Sequence, residues 1–168
     1  EALLEQLGPR VVPYIILDYG NSLYGTSPSA ANNWTVIERN NTEAIRAFVR
    51  YAVAAMRRFR GRGIMWELWN EPNGKWCCGH LEPEVYGALA LAIADERARL
   101  SPELDGEVLA GPTTCGCDLA YMEAVFETGA LSALDAVSWH PYRGGGPETV
   151  AGDNEAVRAL ARRHRPSG

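Results

Sequence analysis

Two glutamates four residues apart, Glu67 and Glu71, sit in the run WELWNEPN (66–73), among tryptophans and at the edge of an Asn-Glu-Pro-Asn turn. A carboxyl group can serve as general acid or base, and two of them together can cleave a glycosidic bond. Position decides which of the two is available. In an extended strand Glu67, Trp69 and Glu71 share one phase, and Glu67 lies about 13 Å below Glu71. Glu67 is then internal, where it is expected to pair with a basic residue or to hydrogen-bond a neighbouring strand. Pro72 removes the next ladder donor and turns the chain out of the sheet, which puts Glu71 at the mouth.

The neighbours of Glu71 suit sugar chemistry. A general acid for a glycosidic oxygen must hold its proton near neutral pH, and apolar walls favour the neutral carboxyl. Trp66, Trp69 and Trp76 are close in sequence and are expected to supply such walls. Asn70 can hydrogen-bond a sugar hydroxyl beside the breaking bond, a contact that strengthens in an oxocarbenium-like transition state. The competing reading is a plain polar turn, because Asn and Pro are common turn residues.

The elements that must position these groups alternate along the chain. VVPYIILDYG (11–20), GIMWELWN (63–70), EVLAGP (107–112) and DAVSWHPY (135–142) read as short, buried, parallel strands. Between and after them, helical periodicity runs over 42–59, 83–100, 118 to about 131, and 154–164. Thr42 is expected to cap the first of these helices and Gly61 to stop it, and Pro83 opens the second. This βαβαβαβα order demands crossover helices and parallel strands. Four units do not close a barrel, so an open sheet is the literal reading. Against it, Gly20, Gly25 and the glycines at 144–146 do not make the GxGxxG turn of a nucleotide-binding sheet. The strand ends instead carry aromatic, amide, imidazole and carboxylate groups, at the positions that form the active face of a βα-barrel.

Composition narrows the partners. The chain has 168 residues, is 46% apolar and carries a net charge of -5, so one globular core is expected and nucleic acid is not. Basic residues concentrate only near Arg57 to Arg62 and Arg158 to Arg165. No stretch approaches the roughly 18 apolar residues of a membrane span.

WELWNEPN followed two strands later by DAVSWHPY resembles glycoside hydrolase clan A, the retaining (β/α)8-barrel glycosidases, and in particular their cellulase and β-xylosidase groups. The resemblance covers essentially the whole chain as barrel strands three to six, a partial TIM barrel in a single partial catalytic domain (1–168) truncated at both ends. It implies that Asn70 and Glu71 end the fourth barrel strand, with Glu71 as acid/base. His140 and Tyr142 then line the sugar site at the end of the sixth. Asp18, Tyr19 and Asn21, in a run like that ending the third strand of such barrels, are expected to bind sugar hydroxyls. Trp76 is expected to stack on a sugar ring, with loop anchoring as its alternative. The resemblance implies an oligosaccharide or polysaccharide substrate and no metal or organic cofactor.

In that clan the nucleophile ends the seventh strand, and it is expected beyond Gly168, leaving the isolated chain inactive. Glu148 and Glu155, the nearest later carboxylates, fall in a Gly-rich loop and at a helix start. Cys77 and Cys78 follow one strand and Cys115 and Cys117 the next, so one or two disulfides between adjacent loops are expected, which would suit a secreted enzyme. Free thiols and a zinc site with His80 are the alternatives, although CC and CxC match the usual CxxC spacing poorly. Acceptor patterns for glycosylation at Asn33 and Asn40 fit the same location. A noncatalytic carbohydrate-binding or structural α/β domain remains the alternative function.

Overall fold

A computed structural model describes residues 2–8, 10–24, 27–28, 35–75 and 79–165. After a short helix α1 (Ala2–Gln6) come β1 (Tyr14–Leu17), the two-residue strands β2 (Ser27–Pro28) and β3 (Thr35–Val36), α2 (Thr42–Phe59) and β4 (Met65–Leu68). The chain continues through α3 (Pro83–Arg99), β5 (Val108–Cys115), α4 (Leu119–Glu127), β6 (Ala136–His140) and α5 (Val150–His164). The four main strands form one parallel sheet in the order β1-β4-β5-β6, while β2 pairs antiparallel with β3. A sheet that advances in one direction through right-handed crossovers keeps its helices on one face. It has no point at which the strand order reverses, as a doubly wound sheet would. The fold is therefore α/β with the topology of a partial (β/α)8 barrel.

Local chemistry sets the element ends. α2 is capped by Asn41, whose Oδ1 accepts from the Ala44 amide at 2.9 Å while its Nδ2 donates to the Tyr24 carbonyl. Thr42, expected at the cap, is instead the first helical residue. Gly61, at φ 72°, carries the turn after α2 and donates its amide to Glu107. The helix expected up to residue 131 ends at Glu127, where Gly129 at φ 87° leads into a 3-10 turn over Ala130–Ala133. α5 begins four residues ahead of its expected start, following a 3-10 turn over Pro147–Thr149.

The core fills the layer between sheet and helices, with Phe48, Ala52 and Met56 of α2, Leu89 and Ile93 of α3, and Trp66, Leu68 and Leu109 from the strands. Buried polar groups in this layer are paired. Trp66 Nε1 donates to Glu107, and Tyr86 of α3 donates its phenol to the Leu68 carbonyl at 2.9 Å. On the other face, Val12, Tyr14 and Ile16 are 62%, 45% and 36% exposed, so the inner side of β1 is open. No helix among the described residues is long and apolar enough to cross a membrane.

Two outcomes are expected from this packing. A Cβ on Gly111 would lie 2.0 Å from the Tyr86 hydroxyl. Gly111→Ala should therefore lower stability by about 1–3 kcal/mol, read as a lower urea midpoint at constant m-value. Burial pushes the phenols of Tyr86 and Tyr121 up. The unfolded chain releases those protons near pH 10, whereas the folded chain keeps them. Their contribution is full below about pH 10 and is lost as pH rises above it. Tyr86→Phe should flatten the alkaline decline in unfolding free energy, although it lowers stability at neutral pH.

Candidate active site

Asp18 and Tyr19 follow β1, Asn70 and Glu71 follow β4, Cys115 ends β5 and His140 ends β6, so one end of the sheet gathers most of the candidate residues. Regular strand geometry stops at Leu68. Trp69 and Glu71 both have left-handed backbones, at φ 64° and 51°. Trp69 consequently does not continue the phase of Glu67. Its ring is fully buried on the helix side, 5.5 Å from Phe48 and edge-on to Tyr19 at 5.3 Å, and its Nε1 donates to the Gly79 carbonyl at 2.7 Å. The expectation that Trp66 and Trp69 wall Glu71 is therefore corrected. Trp66 bonds Glu107 at the start of β5, and Trp69 belongs to the core.

A matching irregularity lies on β5. The β5–β6 register slips between Pro112 and Thr114, and the bulged residue Thr113 is itself at φ 58°. A bulge re-aims the backbone groups around it, and here the Thr113 carbonyl accepts from the Glu71 amide at 3.1 Å. Thr113 Oγ1 reaches the Leu68 carbonyl at 3.4 Å and Ser138 Oγ at 3.2 Å, tying three strands together.

Glu71 is 6% exposed, and its surroundings are polar. His140 Nδ1 is 2.7 Å from Glu71 Oε1. Cys115, paired with His140 in the strand register, and the exposed Tyr142 lie close enough to feel the charge of the same carboxylate. Burial and the charge of Glu71 push the Cys115 thiol up, and the same charge pushes the Tyr142 phenol up. The rings of His140 and Tyr142 meet edge to face at 6.1 Å.

Asn70 Nδ2 donates to the Tyr19 hydroxyl at 3.0 Å, with the Asp18 carboxyl beside it. Burial, offset in part by the Asn70 bond and reinforced by Asp18, pushes the Tyr19 phenol up to about 12. Burial likewise pushes the Asp18 carboxyl up. Asp18, Tyr19 and Asn21 line a cleft of about 660 Å³ with Phe48, Arg50 and Tyr51. Within it, Asn21 Oδ1 is engaged by the Leu23 amide at 2.9 Å, so this residue shapes its own turn.

The structure thus brings Asn70, Tyr19 and Asp18 into one group and Glu71, His140 and Tyr142 into a second beside it, and leaves Asn21 at the margin. Trp76, Cys77, Cys78 and Asn33 lie outside the described residues. Cys115 and Cys117 are free thiols, which corrects the disulfides expected of them; the Cys115 thiol is turned toward Glu71. Among the described residues no group of three or more His, Cys, Asp and Glu could hold a metal ion. Glu155 stands on α5 with an exposed side chain 4.0 Å from Arg158, and Glu148 lies in the preceding 3-10 turn.

Sequence reasoning missed Asn73. Its Oδ1 accepts from the Cys115 amide at 2.8 Å, and its Nδ2 donates to the Cys115 carbonyl at 3.1 Å and to Asp118 at 2.9 Å. One side chain thereby extends the β4–β5 ladder beyond the point where β4 ends. The second Asn of NEPN was its only signal.

Fold and site together define a segment of a (β/α)8 barrel whose strand ends carry a buried, hydrogen-bonded carboxylate. The GH39 enzyme from Xanthomonas axonopodis pv. citri is similar in structure, with a TM-score of 0.53 and 22% identity over 70% of this chain and 27% of that one. A monomeric beta-xylosidase from Caulobacter crescentus CB15 has a TM-score of 0.57 and 24% identity over 88% of this chain and 34% of its own. At these identities the likeness establishes the fold, and this chain spans 27% and 34% of the length of those neighbours. No protein-family profile matches the sequence, and no curated protein matches it.

Removing the Asn73 clamp should loosen the site. Asn73→Ala is expected to lower stability by about 2–4 kcal/mol, at roughly 1 kcal/mol per hydrogen bond plus the cost of unpaired groups. Denaturant unfolding measures the loss, and amide exchange at Cys115 should accelerate with it.

Proposed function

We propose that this chain supplies part of the active site of a retaining glycoside hydrolase, with Glu71 as acid/base. The observation that carries the reading is the Glu71 carboxylate, nearly buried at the C-terminal end of the strands and 2.7 Å from a histidine nitrogen. Enzymes on this fold work at that end of the sheet. The beta-xylosidase neighbour supports an oligosaccharide or polysaccharide substrate containing β-linked xylose.

In the proposed reaction Glu71 protonates the glycosidic oxygen as the bond to the anomeric carbon breaks. A second carboxylate traps that carbon as a glycosyl ester, and Glu71 then deprotonates the water that releases it. Asn70 binds the hydroxyl next to the reacting carbon. His140 and Tyr142 orient Glu71 and the sugar, and Asp18 and Tyr19 bind hydroxyls farther out. Asn21 completes the sugar site at its margin, and Trp76 is proposed to stack on a sugar ring. Glu67 is not the nucleophile, because it is sealed beneath the His140 ring and bonded to Tyr14. The nucleophile is proposed to come from a barrel strand other than these four, and the enzyme to be secreted. No cofactor takes part in these steps.

Glu71→Gln in the natural protein that contains this chain tests the assignment. Turnover of aryl xylosides with poor leaving groups should fall about 10²- to 10⁴-fold, and substrates whose leaving group needs no protonation should be affected far less. Equal and small losses on both substrates, with sugar binding weakened, would show that Glu71 only binds.

A further inference from the structure

Glu67 is a buried carboxylate to which the proposed reaction assigns no chemistry. It lies on the inner face of β4, 2% exposed. Its Oε1 accepts from the Tyr14 hydroxyl at 2.7 Å. Its Oε2 is 3.6 Å from His140 Nε2, an ion-pair contact longer than a hydrogen bond. The other ring nitrogen of His140 is the one 2.7 Å from Glu71. One imidazole therefore separates two carboxylates, with a nitrogen toward each.

A neutral imidazole has one N–H and one lone pair, and the environment of one nitrogen decides the role of the other. A carboxylate attracts the N–H and repels the lone pair. Glu67 is fixed by its bond to Tyr14, so its charge favours a proton on Nε2 and leaves Nδ1, the more basic for it, facing Glu71. At 2.7 Å, Nδ1 and the Glu71 carboxyl oxygen share one proton. We propose that Glu67 is a positioning residue that keeps a proton on His140 Nε2 and thereby retains the transferable proton within the His140–Glu71 pair. The inference rests on the reading of Glu71 as the acid/base.

Around Glu71 and the ring stand Tyr14 from β1, Tyr19 after it, Cys115 from β5 and Tyr142 after β6. These groups are neutral near pH 7, so the charge facing the imidazole from below is that of Glu67. When Glu71 gives its proton to the glycosidic oxygen, its carboxylate is left facing the Nδ1 lone pair. That pairing is unfavourable, and it is relieved when Glu71 takes a proton from the incoming water in the second step. Without the Glu67 charge, His140 can carry its proton on Nδ1 instead and donate it to the Glu71 carboxylate. The anion is then stabilised and the acid form lost at lower pH.

The test is Glu67→Gln in the natural protein, which preserves shape and a partner for Tyr14. The alkaline limb of the kcat/KM profile on a poor-leaving-group xyloside should move down by about one pH unit, a loss of about tenfold on that limb. A limb that stays in place overturns the proposal even if the variant is less stable, because a merely structural role lowers stability without moving the limb. Nitrogen-15 spectra of the wild-type histidine side chains read the tautomer directly, whether or not the variant folds. A proton on His140 Nε2 at neutral pH, with or without one on Nδ1, supports the proposal, and an Nδ1–H ring with a bare Nε2 overturns it. Glu71→Gln keeps the two readings separable. Retained turnover in that variant removes the acid/base assignment and this inference with it, whereas an inactive Glu71→Gln beside an unmoved Glu67→Gln limb removes this inference alone.

Discussion

The candidate site depends on how β4 ends. Two consecutive extended residues would carry the chain straight past the sheet, but Trp69 and Glu71 take left-handed conformations instead. Each such residue costs on the order of 1–3 kcal/mol and persists only where its surroundings over-determine it. Here they do. The Trp69 amide donates to Leu17 on one side, the Glu71 amide to Thr113 on the other, and the Trp69 ring is locked into the core by its bond to Gly79. Thr113 is left-handed as well, so the strain is shared across two strands and each irregularity supports the other. The result is a carboxylate folded back over the sheet toward His140 instead of pointing into solvent.

This geometry explains which parts of the molecule were legible in the sequence. Alternating apolar runs and helical faces located the four main strands and the helices between them, because burial imposes those periods directly. The residues at the strand ends were legible by type: Asp18, Tyr19, Asn70, Glu71 and His140 do converge. Their contacts were not. Extending period two past Leu68 placed Trp69 beside Glu67, whereas the left-handed step sends it to the opposite side. Neither the Thr113 bulge nor the Asn73 clamp has a periodic signature, since each satisfies backbone groups across strands that are about 40 residues apart in sequence.

The same sheet is sealed on one side and open on the other. Helices cover the face bearing Leu17, Trp66, Leu68 and Leu109, yet Val12, Tyr14 and Ile16 leave apolar surface exposed on the inner side of β1. In a closed barrel that side is filled by inward residues of all the strands. Glu67 escapes exposure because Tyr14 and His140 flank it from the neighbouring strands. The polar network is thus built from groups of this chain, whereas the apolar inner face of β1 stays exposed.

Sequence proximity suggested that Glu71 would be an acid kept neutral by tryptophan walls. Its environment is instead polar, with the Cys115 thiol and the Tyr142 phenol near it and an imidazole nitrogen 2.7 Å away. The distinction matters for the proposed acid/base, which must act twice. Apolar walls disfavour the anion throughout a reaction, which helps the proton to be held but hinders the carboxylate that must exist once it is given away. Polar groups such as Cys115 and Tyr142 suit that carboxylate, and the imidazole of His140 can share the proton of the acid that precedes and follows it. A proton donor surrounded by both kinds of partner can alternate between its two forms without either becoming a trap, and such alternation is what the two halves of a retaining reaction require.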